Sequence, residues 1–76
     1  MTEQDWSNIF SDNLISLLNE ANMTQQELSK ETGLSRATIS SYINGRRLPG
    51  IKAIINIGYV LDCDLNELID FGDLIE

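Results

Sequence analysis

Seventy-six residues suffice for one domain with a modest core, since a chain of this size buries only about 60% of the surface its unfolded form exposes. With no histidine, a single cysteine and no glycine-rich phosphate loop, it lacks the commonest general base, the commonest metal ligand and a disulfide pair. A net charge of −7 argues at first sight against a nucleic-acid partner. The composition predicts no catalytic residue, no metal, no cofactor and no small-molecule substrate. No apolar run approaches the roughly 20 residues of a membrane span, and the start MTEQDWSN has neither the basic end nor the apolar run of a signal peptide. The expectation is a cytoplasmic protein without a membrane partner, residues 1–76 forming one domain and Cys63 serving as a small core residue.

In chain order, Trp6, Ile9, Phe10, Leu14, Leu17, Leu18 and Ala21 recur at steps of three and four, which predicts an amphipathic helix capped by Asp5 or Ser7 and closed at Asn22-Met23. Thr24-Gln25-Gln26-Glu27 has the spacing of a capping box and opens a second, short helix that Gly33 ends. Ser35 offers the cap of a third helix, with Ile39, Tyr42 and Ile43 inward and Asn44-Gly45 as its stop. Pro49 makes Arg46–Gly50 a loop. A fourth helix runs from about Ile51 to Leu61, with Ile51, Ile54, Ile57, Gly58 and Leu61 on one side. Asp64-Leu65-Asn66-Glu67 repeats the capping-box spacing and starts a fifth, to roughly Asp70. No strand pattern or repeat interrupts this, so the fold expected is all-α, five helices around one core.

The charge is segregated. All five cations (Lys30, Arg36, Arg46, Arg47 and Lys52) lie between positions 24 and 52 with only Glu27 and Glu31, a local balance of +3, and the other ten acids lie outside. The same stretch, TQQELSKETGLSRATISSYINGRRLPG, joins two short helices through a tight turn at Gly33-Leu34-Ser35. A helix-turn-helix over about residues 24–44 needs a small residue where its helices touch, a turn residue tolerant of positive φ and a branched plug beneath the second helix. Ser29, Gly33 and Ile39 meet those needs, with Leu28 and Leu34 filling the corner. The second helix of such a unit enters the DNA major groove by its N-terminal residues.

In these residues, and in the run after Pro49, the chain resembles the phage-repressor and Cro-like helix-turn-helix proteins, the Xre family, over about positions 10–70. The resemblance implies a five-helix lambda-repressor-like domain and a sequence-specific, DNA-binding transcriptional regulator of repressor type. It implies base contacts from Arg36, Ala37, Thr38 and Ser41, and phosphate contacts from Gln25, Ser35, Asn44, Arg46 and Arg47. Arg36 suits guanine O6 and N7, whereas Ala37 suits only a thymine methyl. Ser29 stands where relatives usually carry alanine, and Ile43 at a position often charged. Ile55 and Tyr59 are apolar where relatives tend to be polar; with Ile69, Phe71, Leu74 and Ile75 they make a candidate dimer or partner interface, residues 71–76 being either tail or interface. A homodimer would set two recognition helices about 34 Å apart and ask for an inverted-repeat operator in double-stranded DNA. The rival reading is a protein-interaction module on the same fold, an antirepressor or antitoxin that binds another regulatory protein through its acidic surface.

Overall fold

A computed structural model describes residues 2–69 as α1 (Glu3–Ala21), α2 (Gln25–Thr32), α3 (Arg36–Ile43), α4 (Ile51–Leu61) and α5 (Leu65–Leu68). The expected five-helix, all-α order is therefore present. The first boundary differs from the sequence reading. The N-cap of α1 is Thr2, not Asp5 or Ser7: Thr2 Oγ1 accepts the Asp5 amide, and the Asp5 carboxylate accepts the Thr2 amide at 2.8 Å. That reciprocal pair satisfies two N-terminal donors and adds a turn ahead of Trp6. The bonds from Thr2, chiefly the backbone one, hold the Asp5 carboxyl below its ordinary value. Thr2→Ala is expected to cost about 1 kcal/mol, seen as a fall of about 4–8 °C in the thermal midpoint followed by circular dichroism.

The remaining caps follow the sequence. Thr24 and Glu27 form a capping box, Gly33 closes α2 at φ +77°, and Ser35 Oγ accepts the Thr38 amide. At the end of α3, Gly45 takes φ +70°, its amide bonding to Tyr42 O and that of Arg46 to Ser41 O. This is the paired closure that a left-handed glycine permits. Asp64 and Glu67 cap α5 as expected.

The core gathers Phe10, Leu14 and Leu18 of α1, Leu28 of α2, Ile39 and Tyr42 of α3, Ile57 of α4 and Leu68 of α5. Helix α3 packs on α1 and α2, α4 on α2, α5 and α1, and α5 on α1 and α4. Phe10 meets Tyr42 edge-to-face at 6.1 Å between ring centres. Trp6 is half-buried, as expected of cover on α1. Ile43, Leu34 and Cys63 pack half-buried against the core. Burial, then the carboxylates of Glu67, Asp64 and Asp62, pushes the Cys63 thiol up, which suits a packing residue and disfavours the thiolate.

Two residues face the other way from the periodicity. Ala21 is exposed in the last turn of α1, and Ile51, expected inward, is 65% exposed at the start of α4. The α4 sequence IKAIINIGYVL is apolar nearly all round, so periodicity alone does not set which side faces in. The described part of α5 ends at Leu68 with Ile69 as its cap; Asp70, Phe71, Leu74 and Ile75 lie outside the described residues. No helix among the described residues is long and apolar enough to cross a membrane.

Candidate nucleic-acid interface

Helix α3 buries Ile39 and Tyr42, so at 100° per residue its opposite side carries Ala37 and Ser41, flanked by Arg36 and Ser40. Arg36 and Ala37 are the first two residues of the helix, and both are exposed. Arg46 and Arg47 are exposed in the loop just after it. The helix is about 12 Å long, so cations bracket it at both ends. Among the described residues, none of these three arginines makes an ion pair or a side-chain hydrogen bond. Their guanidinium donors are thus available to an outside acceptor. Glu3 shares a shallow hollow with Gln4, Ser7, Arg46, Arg47 and Leu48, so one carboxylate tempers the potential there.

The hydroxyls of the recognition segment are not equivalent. Ser35 Oγ lies 2.8 Å from Thr38 Oγ1, besides accepting the Thr38 amide. When Ser35 donates, Thr38 keeps its own proton for a partner outside. Ser41 instead gives its proton to Ala37 O at 3.0 Å, which leaves it only as an acceptor. Asn44 Nδ2 donates to Ser40 Oγ at 3.2 Å. Gln25, at the first position of α2, is exposed and makes no side-chain hydrogen bond among the described residues; it lines a shallow hollow with Ile43 at the end of α3.

The turn between α2 and α3 is stitched by side chains of Ser29, Thr32 and Asn56, of which only Ser29 has a place in the helix-turn-helix pattern. Ser29 Oγ donates to Leu34 O at 2.6 Å, so serine at the small-residue position also ties down a turn carbonyl. Thr32 Oγ1 donates to Leu28 O and accepts from the Leu34 amide. Asn56 of α4 donates to Thr32 O at 2.8 Å. The Asn56 bond supplies a partner for a carbonyl that the end of α2 would otherwise leave open.

Helix α1 does the same at the other end of the recognition helix. Ser11 Oγ donates to Ile43 O, and Gln4 Nε2 donates to Gly45 O at 2.8 Å and to Asn8 Oδ1 at 2.9 Å. Asn13 Nδ2 reaches Leu68 O at 2.9 Å and ties α5 to the same helix. A Cβ on Gly45 would stand 2.8 Å from Asn8 Oδ1, the end of an exposed side chain that can move aside, so it is the positive φ that calls for glycine there. Gln4, Ser11 and Asn56 thus position the loop and turn that carry Arg46, Arg47 and Arg36. The only sequence signal for Ser11 was a polar residue set in the apolar stripe of α1.

The expected base-facing set (Arg36, Ala37, Thr38 and Ser41) therefore shares α3, and Ser35, Asn44, Arg46 and Arg47 flank it, with Gln25 at the neighbouring helix start. Of the proposed interface set, Ile55 is 50% and Tyr59 86% exposed on α4, and Ile69 is exposed beyond α5.

Comparison with known proteins places this geometry among relatives. A family model described as helix-turn-helix matches residues 14–68. An uncharacterised HTH-type transcriptional regulator of Bacillus subtilis (strain 168), YqaE, is 34% identical over 61 residues, covering 80% of this chain and 53% of the relative. The ImmF control region 10 kDa protein of Bacillus phage phi105 is 39% identical over 49 residues, covering 64% of this chain and 54% of the relative. The chain thus spans about half the length of the curated relatives it matches. The solution structure of an SOS-response transcriptional repressor, LexA from Eubacterium rectale, superposes with a TM-score of 0.84 at 25% identity, covering 100% of this chain and 81% of that one.

Proposed function

The chain belongs to the helix-turn-helix family of the phage-repressor and Cro-like kind, and on that premise we propose that it is a DNA-binding transcriptional regulator that occupies a double-stranded operator. The observation that carries this reading is the pair of cationic ends on α3, Arg36 at its first position and Arg46 and Arg47 after it, exposed and unpaired among the described residues of a chain whose net charge is −7. In a protein with five cations, three of them bracketing one eight-residue helix point to phosphate and base edges as its ligand.

In this reading α3 enters the major groove by its N-terminus. Arg36 reads a guanine through O6 and N7, Ala37 makes room or meets a thymine methyl, and Thr38 donates its free hydroxyl proton. Ser41, acting only as an acceptor, suits an exocyclic amine. Arg46, Arg47, Asn44, Ser35 and Gln25 hold the backbone and fix the register, with Gln25 bracing the helix only once DNA is in place. Few long polar side chains face the bases, so part of the preference is for DNA shape. The regulator acts as a repressor in the cytoplasm, two copies on an inverted repeat, with residues 1–76 working as one domain and without a cofactor. A second reading, a module that meets a basic regulatory protein as antirepressor or antitoxin, draws on the ten acids outside the 24–52 window.

The test is binding to mixed-sequence and candidate operator duplexes across a salt series, with Arg36→Ala beside the unmodified chain. The expected result is binding that weakens steeply with salt, by roughly 0.9 log units per tenfold salt for each phosphate contact. Arg36→Ala should cost about 1–3 kcal/mol of discrimination at one base pair. Folded protein that binds no duplex at low salt would favour the protein-directed reading instead.

A further inference from the structure

A hollow of about 960 Å³ opens where α2 ends and α4 passes into α5. Ile55, Tyr59 and Leu65 line it and are exposed, with Met23, Val60 and Cys63 half-buried among them. Four carboxylates line the same hollow, Glu31 from the end of α2 and Asp62, Asp64 and Glu67 from the junction of α4 with α5. None of the five cations does. The C-termini of α2 and α4 add partial negative charge, and only the single turn of α5 starts there to oppose them. Three of the acids act together on Cys63: after burial, it is the charges of Glu67, Asp64 and Asp62 that push its thiol up.

An apolar floor with an acidic border complements a surface that is apolar with a cationic border. The elements that form the hollow are helices, whose backbone groups are already paired, so an extended chain would find no ladder to join. A helix brings its own backbone bonds and needs only side chains that fit. The hollow is open to solvent, which suits a segment of chain better than a small molecule. Neither the chain's own last residues nor a second copy has the right charge. Residues 70–76, DFGDLIE, add three acids and no cation, and a second copy brings a net charge of −7.

We infer that the hollow is the docking site of another protein, which presents an amphipathic helix with lysines or arginines flanking its apolar face. Apolar side chains of that helix at i, i+3 or i+4 and i+7 pack on Ile55, Tyr59 and Leu65. Its cations meet Glu31 of α2 and Asp62 and Asp64 of the α4–α5 junction. None of these residues belongs to the candidate DNA surface on α3 and its loop, so the partner is held beside bound DNA and not in its place. The association itself needs no DNA and is independent of the operator reading.

The probe is a synthetic helical peptide of about 15 residues, leucines along one face and lysines elsewhere. The full chain, isotope-labelled and free of DNA, is titrated with it and followed by amide chemical shifts. One control peptide has glutamate for every lysine; another has the same composition scrambled so that the leucines no longer share a face. The expected result is saturable binding in the micromolar range, with shifts gathered at Glu31 and residues 55–67. The glutamate peptide should not bind, and the scrambled one should bind at least tenfold more weakly. Tyr59→Ser is expected to weaken binding about tenfold or more, and Glu31→Gln about two- to fivefold, an effect that fades with added salt. Both side chains are exposed and hold no bond among the described residues, so fold and DNA binding should survive each change. Shifts spread over every acidic face, equal binding of the scrambled peptide, or indifference to Tyr59→Ser would overturn the proposal. So would the same shifts arising as the chain alone is concentrated, which would assign the hollow to a second copy. Peptide binding by a chain that binds no duplex would refute the operator reading and leave this inference standing.

Discussion

The Arg46→Gln, Arg47→Gln double variant is expected to bind DNA about sixtyfold more weakly in 0.1 M salt, and to bind nearly as the unmodified chain does toward 1 M. Each lost phosphate contact lowers the salt slope by about 0.9, so the two together flatten it by about 1.8, and the loss of affinity vanishes as salt removes the gain from counterion release. Both guanidiniums are exposed and unpaired within the described residues, so their loss removes no internal contact and the thermal midpoint should not move. The effect is expected to be uniform across DNA sequences, in contrast to Arg36→Ala, whose cost concentrates on one base pair. The measurement is a salt series by fluorescence anisotropy on a matched and a scrambled duplex. An unchanged salt slope would remove these arginines from the interface, and the case from charge segregation would then rest on Arg36 alone.

That the two arginines sit where they do depends on contacts with no local signature. Gln4 and Gly45 are 41 residues apart, and Asn56 and Thr32 are 24 apart. In each pair the acceptor is a backbone carbonyl, a group that every residue carries, so sequence cannot say which carbonyl a distant amide will find. Features encoded locally are legible in the sequence. A threonine three residues before a glutamate, a glycine after the last helical turn and a serine before Arg36 each do within a few residues what their spacing announced. Arg36 and Ala37 could be placed at the first two positions of α3 because the Ser35 cap fixes where that helix begins.

The errors have physical sources as well. Asp5 looked like a cap because it is a good one, but Thr2 lay three residues earlier and the aspartate instead answers it from inside the helix. Ile51 looked like core because a helix as apolar as α4 offers more than one phase for its buried stripe, and the choice is made by α2 and α5 packing against it. Gly58 lies within about 20° of Ile51 around the helix, but a Cβ there would stand 3.2 Å from Leu65 Cδ2, so α5 covers the C-terminal half of α4 and leaves Ile51, about two turns earlier, to solvent.

Ile39→Ala is expected to have the largest effect on stability, a loss of about 2–5 kcal/mol. A domain of this size holds about 4–11 kcal/mol in all, so the variant should show a sharply lower urea midpoint and a partly unfolded population at 37 °C. Ile39 is fully buried in the middle of α3, and it is the branched side chain seated beneath the recognition helix, in the core that Leu28 and Leu14 share. Removing it opens a cavity that the short, capped helices on either side have little freedom to close. Ile39→Val, which removes one methyl group, should cost about 0.5–1.5 kcal/mol and keep DNA binding. The arginine pair and this isoleucine therefore divide the helix between two kinds of evidence. Substitution on the outer side should move the salt slope and leave the melt alone, while substitution on the inner side should move the melt and affect binding only through the fraction folded. A large loss of DNA affinity in Ile39→Ala under conditions where the protein is fully folded would mean that core packing also tunes the pose of α3, and the scaffold and the reading surface could no longer be treated as separable.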